Sequence, residues 1–238
     1  LTVNPEQAPP CGRGVEWVGG VEKRSPSLVS CGNLGDNFIV RGRMRRLIYI
    51  PIVHSEVDFG SLTHNLRKRY IDRFGLSGWR QRVKGIDALW EEIRRRILAL
   101  EIDFRKLKVY QDGLPICGRE LEIVRDLARQ GSKNHLLLME LAERGATVMG
   151  TEDAQLLVEE YLRLRDGLER DDETGDRAGS GEDLLSRRDL YIATRIKDTL
   201  GEGETGILFI GLLHKVDEKL SQDIEMSYLL RDGEEVER

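Results

Sequence analysis

Apolar residues recur along this chain in two rhythms. Residues 47–53 (Leu-Ile-Tyr-Ile-Pro-Ile-Val) and 206–212 (Gly-Ile-Leu-Phe-Ile-Gly-Leu) are nearly continuous apolar runs. Runs of that length with β-branched side chains predict strands buried on both faces. Shorter strands are predicted over 106–111 and 146–149. Elsewhere the period lengthens to three or four. Leu62, Leu66, Tyr70 and Phe74 share one helical face. Trp79, Val83, Ile86, Trp90, Ile93, Ile97 and Leu100 continue the rhythm, which predicts a long amphipathic helix. Leu121, Val124 and Ala128 mark another helix, stopped by Gly131. Further helices are predicted over 134–143, 154–168 and 184–200, with one more from about Val216. Strands alternating with helices predict an α/β fold, a mainly parallel central sheet covered by helices on both faces.

The periodicity is absent from three segments. Residues 1–43 hold four of the six prolines and two of the three cysteines, with no sustained period. They read as a disordered leader or an over-extended N-terminus, and a single α/β domain is expected over 44–230. Residues 169–181 are charged or small, with Ala178 the only apolar residue, and predict a lid or an unstructured connection. Residues 231–238 read as an acidic, frayed tail.

Composition narrows the function classes. The chain has 238 residues, 39% of them hydrophobic and 33% charged, and its net charge is −5. An acidic balance gives no general field for nucleic acid, so no nucleic-acid partner is expected. No apolar run is long enough to span a bilayer, so no membrane partner is expected either. Cys11, Cys31 and Cys117 are widely spaced and form no CxxC pair, which excludes a disulfide framework and a cysteine zinc site. A cytoplasmic protein is expected.

The two long strands end alike, one in Pro51-Ile52-Val53-His54 and the other in Gly211-Leu212-Leu213-His214. Ligands of open α/β sheets bind at the carboxyl ends of strands, so His54 and His214 stand where chemistry is expected. An imidazole there can serve as a general base or a metal ligand. Glu56 follows His54 at a spacing of two. Asp112 and Glu152 follow the two shorter strands, and these acids would complete a site for a divalent metal. Local turn and cap roles remain open for Asp112, Thr151 and Asp153. Gly201–Gly206 fits GxGxxG in letters only, because it precedes a strand and carries two glutamates, so it reads as a helix end and loop. There is no P-loop and no GxSxG elbow. His64 reads as solvated and His135 as a packed or capping residue.

Three elements together resemble the superfamily of TraB/Tiki proteins, erythromycin-esterase-like enzymes and ChaN-like haem-binding proteins. They are the strand ending in His54, the helix that begins Arg188-Asp189-Leu190-Tyr191, and the strand leading to Gly211-Leu-Leu-His214. The last matches the G-x-x-H motif of that superfamily, and Arg188 corresponds to its helix arginine. Pro51 departs from it, standing where the family usually has glycine. The resemblance implies an α/β fold with both histidines and several acids in one pocket. It implies a hydrolase of esterase or peptidase type acting on a small molecule or peptide, with catalytic His54, Glu56, His214 and Arg188. A metal, if used, would be held by His54, His214, Glu56, Asp112 and Glu152. Arg188 would neutralise a carboxylate or oxyanion. The alternatives are a haem or small-ligand binder on the same scaffold, and a regulatory protein whose histidines are structural.

Overall fold

Residues 44–54, 56–169 and 178–230 are described by a computed structural model and belong to one compact unit. The expected leader over 1–43, the tail over 231–238 and the centre of the expected loop, 170–177, lie outside the described residues. The rest of that predicted loop is helical.

Five strands form one parallel sheet: β1 (Arg45–Ile52), β2 (Leu107–Gln111), β3 (Thr147–Met149), β4 (Thr205–Gly211) and β5 (Ile224–Tyr228). They lie side by side in the order β3-β2-β4-β1-β5. The helices are α1 (Thr63–Leu98), α2 (Glu120–Arg129), α3 (Lys133–Glu143), α4 (Ala154–Glu169) and α5 (Ala178–Thr199). β4 runs down the middle of the sheet, and its first six residues are all buried. Alternate side chains serve opposite faces, as the pleat requires. Ile207 and Phe209 join Ile50, Ile52 and Val109 beneath α1, α2 and α3, while Leu208 and Ile210 join Leu47, Tyr49 and Tyr110 beneath α5. The α/β fold with helices on both faces is therefore present. The chain steps from β1 through β2 to β3 with helices on one face, then reverses to β4 and β5 on the other. Right-handed crossovers require that change of face when the direction reverses.

Two elements differ from the pattern-based expectation. The segment after Val216 holds only a short 3-10 turn (Asp217–Lys219) and then the edge strand β5, instead of a helix. The periodic stretch from Leu62 onward forms α1, but the helix is broken at Gly75 (φ 75°, ψ 166°) and buries only Trp90, Ile93 and Ile97. Its first two-thirds is half-buried at best.

The topology places the site. β1 and β2 both pair with β4, in registers that set Ile52 beside Gly211 and Gln111 beside Phe209. The residues just past these three strands therefore emerge on one edge of the sheet.

Candidate functional site

The residue on which this edge converges is Asp112, the first residue after β2. It is 5% exposed. Its backbone N–H extends the ladder to Phe209, which aims the side chain back across β4. Its Oδ2 accepts the Gly211 N–H at 2.9 Å and lies 3.2 Å from His54 Nε2 and 3.6 Å from His214 Nε2. Its Oδ1 accepts from Arg188 Nη2 at 2.9 Å. The glycine of the G-x-x-H stretch has a physical role here. A β-carbon at Gly211 would lie 2.9 Å from Asp112 Oδ2 and 3.6 Å from His54 Nε2, inside the space these groups share.

Arg188 reaches the site from α5 and is itself buried. It donates to both Glu152 oxygens at 2.6 and 2.9 Å, to Asp112, and pairs through Nη1 with Glu160 of α4 at 2.5 Å. One guanidinium thus serves three carboxylates. Glu152 also accepts the Gly113 N–H at 2.6 Å, tying the exits of β2 and β3 together. The next residue on α5, Asp189, holds His214 Nδ1 at 2.6 Å and accepts the Lys215 N–H at 2.9 Å. His214 thus stands between two acids, an environment that suits the imidazolium.

The charges follow from these contacts. Burial would raise Asp112, but His54, His214 and Arg188 outweigh it and hold the carboxyl well below its ordinary range. Burial and the Asp112 charge push Glu152 up to about 7, against the pull of Arg188. Burial would lower both histidines, but Asp112 raises His54, and Asp189 with Asp112 raises His214. Arg188 is raised by its carboxylates despite burial and stays charged.

These shifts have a sign for stability. Glu152 and the two histidines bind protons more tightly in the folded chain than in the unfolded one. Their contribution is complete below about pH 4.5 for Glu152 and about pH 6.5 for the histidines, and fades as pH rises through the folded values. Asp112 has the opposite sign, and its contribution is lost only in strong acid. The thermal midpoint should therefore fall as pH rises from about 4.5 through about 7, the window set by Glu152, and the histidines extend the fall above about pH 6.5. Glu152→Gln should flatten that slope in calorimetric scans across the range. A midpoint that rose toward pH 8 would contradict the assignment.

The segment after His54 is pinned by a second polar cluster. Ser132 caps α3 and donates to Asp58 Oδ1 at 2.8 Å, and its Oγ lies 2.8 Å from His135 Nδ1. All three side chains are buried. Serine, histidine and aspartate meet here as a brace between the 3-10 segment (Glu56–Leu62) and α3, and Asp58 also lines the cavity described next. His135 is the packed, cap-associated residue expected. Asp153 caps α4 through the Gln155 and Leu156 N–H groups, and Thr151 accepts the Gln111 N–H.

Above Asp112 a cavity of about 370 Å³ opens to solvent. His54 and His214 both line it, with His54 presenting the larger surface (side chain 30% exposed against 4%). Its walls include Leu157, Tyr161, Leu164, Leu185, Leu212 and Leu213. Leu212 and Leu213 are 67% and 78% exposed, the most open large apolar residues of the described chain.

The structure thus brings together His54, His214, Asp112, Glu152 and Arg188. Glu56 lies in the 3-10 segment, but its side chain is outside the described residues. Sequence reasoning missed Asp189 and Glu160, whereas Asp58, which follows His54 and Glu56 at the same spacing, was visible as a nearby carboxylate. Asp189 had a signal, since it adjoins Arg188 in the motif helix, although both lie in the middle of α5 and not at its start as expected. The oxygens of Asp112 and Glu152 that a divalent ion would use already accept from Arg188, Gly113 and Gly211. Among the described residues no group of three or more His, Cys, Asp or Glu side chains is arranged to hold a metal. Arg188 likewise directs its donors to the carboxylates of Glu152, Asp112 and Glu160.

No family model, curated protein or solved structure matches this chain. No helix among the described residues is long and apolar enough to cross a membrane.

Proposed function

We propose that the protein is a hydrolase of the TraB/Tiki and erythromycin-esterase-like kind, cleaving an ester or amide bond of a small molecule or peptide with His54 as general base. The supporting observation is the meeting of two histidines past strand ends, His54 and His214, on one buried carboxylate, Asp112, at the floor of a cavity sized for a small ligand. In this reading His54 removes a proton from water as its oxygen attacks the carbonyl carbon. Asp112 holds the ring and compensates the charge that forms on it. The C–O or C–N bond then breaks, and the proton passes from His54 to the leaving group. Arg188 and Gly211 hold Asp112, and Asp189 holds His214. No step is routed through a metal. An exposed, unbridged Cys117 suits the cytoplasm, where we place the reaction.

The test is a panel of chromogenic esters and peptide amides, with His54→Ala alongside the wild type. A rate at least about a hundredfold lower in the variant is expected, at an unchanged melting temperature. Metal analysis and an absorbance scan of the same sample separate the alternatives. A stoichiometric metal or a Soret band would replace the metal-free reading. No turnover, together with a lowered melting temperature in His54→Ala, would make the histidine structural.

A further inference from the structure

Residues 63–85 depart from the charge of the chain around them. Seven arginines and lysines face one acid, Asp72, a net charge of +6 within a chain that totals −5. Six of the seven are exposed, all but Arg69. The same stretch is rich in apolar and aromatic residues and belongs to the part of α1 that the core does not bury. Its centre is the break at Gly75, whose positive φ only glycine adopts readily. The break forms a corner. Tyr70 packs on Phe74 at 4.7 Å and edge-on against Trp79 at 5.4 Å. Guanidinium groups lie over these rings, Arg82 on Tyr70, Arg67 on Trp79 and Arg73 on Phe74, at 5.3, 5.9 and 5.2 Å. At the tip, Phe74 and Leu76 flank Gly75 and are 54% and 46% exposed.

We propose that this corner of α1 is a binding site for an anionic lipid surface. An apolar tip ringed by arginine and lysine is the pattern by which helices lie in a bilayer interface, with Phe and Leu at the acyl boundary and cations among the headgroups. The long basic side chains can cover apolar surface with their stems while their charges stay in the polar layer. Nucleic acid fits less well. Base stacking needs open ring faces, and Tyr70 and Trp79 are packed against one another and covered by guanidinium groups. The protruding phenyl and isobutyl groups offer no hydrogen-bonding edge. Contact is peripheral, since α1 is no spanning helix. The expectation of no membrane partner rested on the lack of a spanning run, which does not bear on peripheral contact, and the excess of acid elsewhere masks the charge of this segment.

The full chain should co-sediment with phosphatidylcholine vesicles that contain phosphatidylserine, and not with phosphatidylcholine alone. Binding should weaken as salt rises. Phe74→Ser with Leu76→Ser, and separately Arg73→Glu with Arg80→Glu, should each lower the partition coefficient by roughly tenfold or more, from about fivefold per charge near the surface. Both pairs are exposed, so the melting temperature should hold. In the unmutated chain, brominated acyl chains should quench tryptophan emission, a readout that needs no variant. Equal binding to neutral vesicles, no binding to anionic ones, or indifference to both double substitutions would overturn the proposal. So would a single-stranded oligonucleotide that displaces the protein from the vesicles.

Discussion

Replacing Arg188 with methionine should destabilise the protein by about 3–5 kcal/mol, the cost of leaving a buried ionic partner uncompensated. Methionine keeps much of the length and apolar volume, so the loss isolates the charge. Without the guanidinium, Asp112 and Glu152 face each other across the β2 and β3 exits with only backbone N–H groups and histidines near them. Urea unfolding at pH 7 should show a lower midpoint with an unchanged slope. Two controls make the cause visible. Glu152→Gln in the Arg188→Met background should recover part of the loss, because it removes one of the stranded carboxylates. The deficit should also shrink at pH 5, where Glu152, already raised to about 7 in the wild type, is protonated. A wild-type midpoint in Arg188→Met would mean that Arg188 is not the counter-ion of this edge.

How much of the fold and site is legible in the sequence depends on what each residue meets. β1 and β4 can be read because a strand buried on both faces is apolar throughout, whereas a half-exposed strand or a surface helix would interrupt the run with polar residues. β5 cannot. Val216, Leu220 and Ile224 stand four apart, as on a helix, while the alternation Ile224, Met226, Tyr228 is too short to outweigh them. Only one face of this edge strand is covered. The two histidines are legible from their place at strand ends. Their partners are not. Asp112 is followed by glycine and looks like a turn, and its burial depends on β2 and β1 flanking β4, a matter of strand order that no local pattern encodes. Asp189 and Glu160 lie on helices, where a charge ordinarily marks the solvated face. The acids were expected to gather around a metal. They gather around Arg188, because a guanidinium presents several donors in a fixed fork and can satisfy three carboxylates at once.

Asp112→Asn should lower the proposed hydrolysis by roughly three to four orders of magnitude, as expected when the acid that orients a catalytic histidine is neutralised. The donors around the side chain explain why. Gly211 N–H and Arg188 Nη2 both donate to it, and His54 Nε2 lies 3.2 Å away. A carboxylate accepts at both oxygens, whereas an amide accepts at one position and donates at the other. If the amide oxygen faces Gly211 and His54, its NH₂ group opposes the guanidinium. If it faces Arg188, the NH₂ group opposes the Gly211 N–H and forces His54 to accept through Nε2, which moves the ring proton to the other nitrogen. Either orientation leaves a buried donor unsatisfied, a further cost of about 1–3 kcal/mol in stability. The charge that raises both histidines is lost as well, so each should titrate at lower pH than in the wild type. A base must be unprotonated to act, so the rising acid limb of the rate profile should move in the same direction. Histidine NMR titration reads the first shift and steady-state rates across pH read the second. A variant that stays folded, keeps the wild-type rate and shows neither shift would establish that Asp112 does not govern His54, and the proposed general base would have to be sought elsewhere in the cavity.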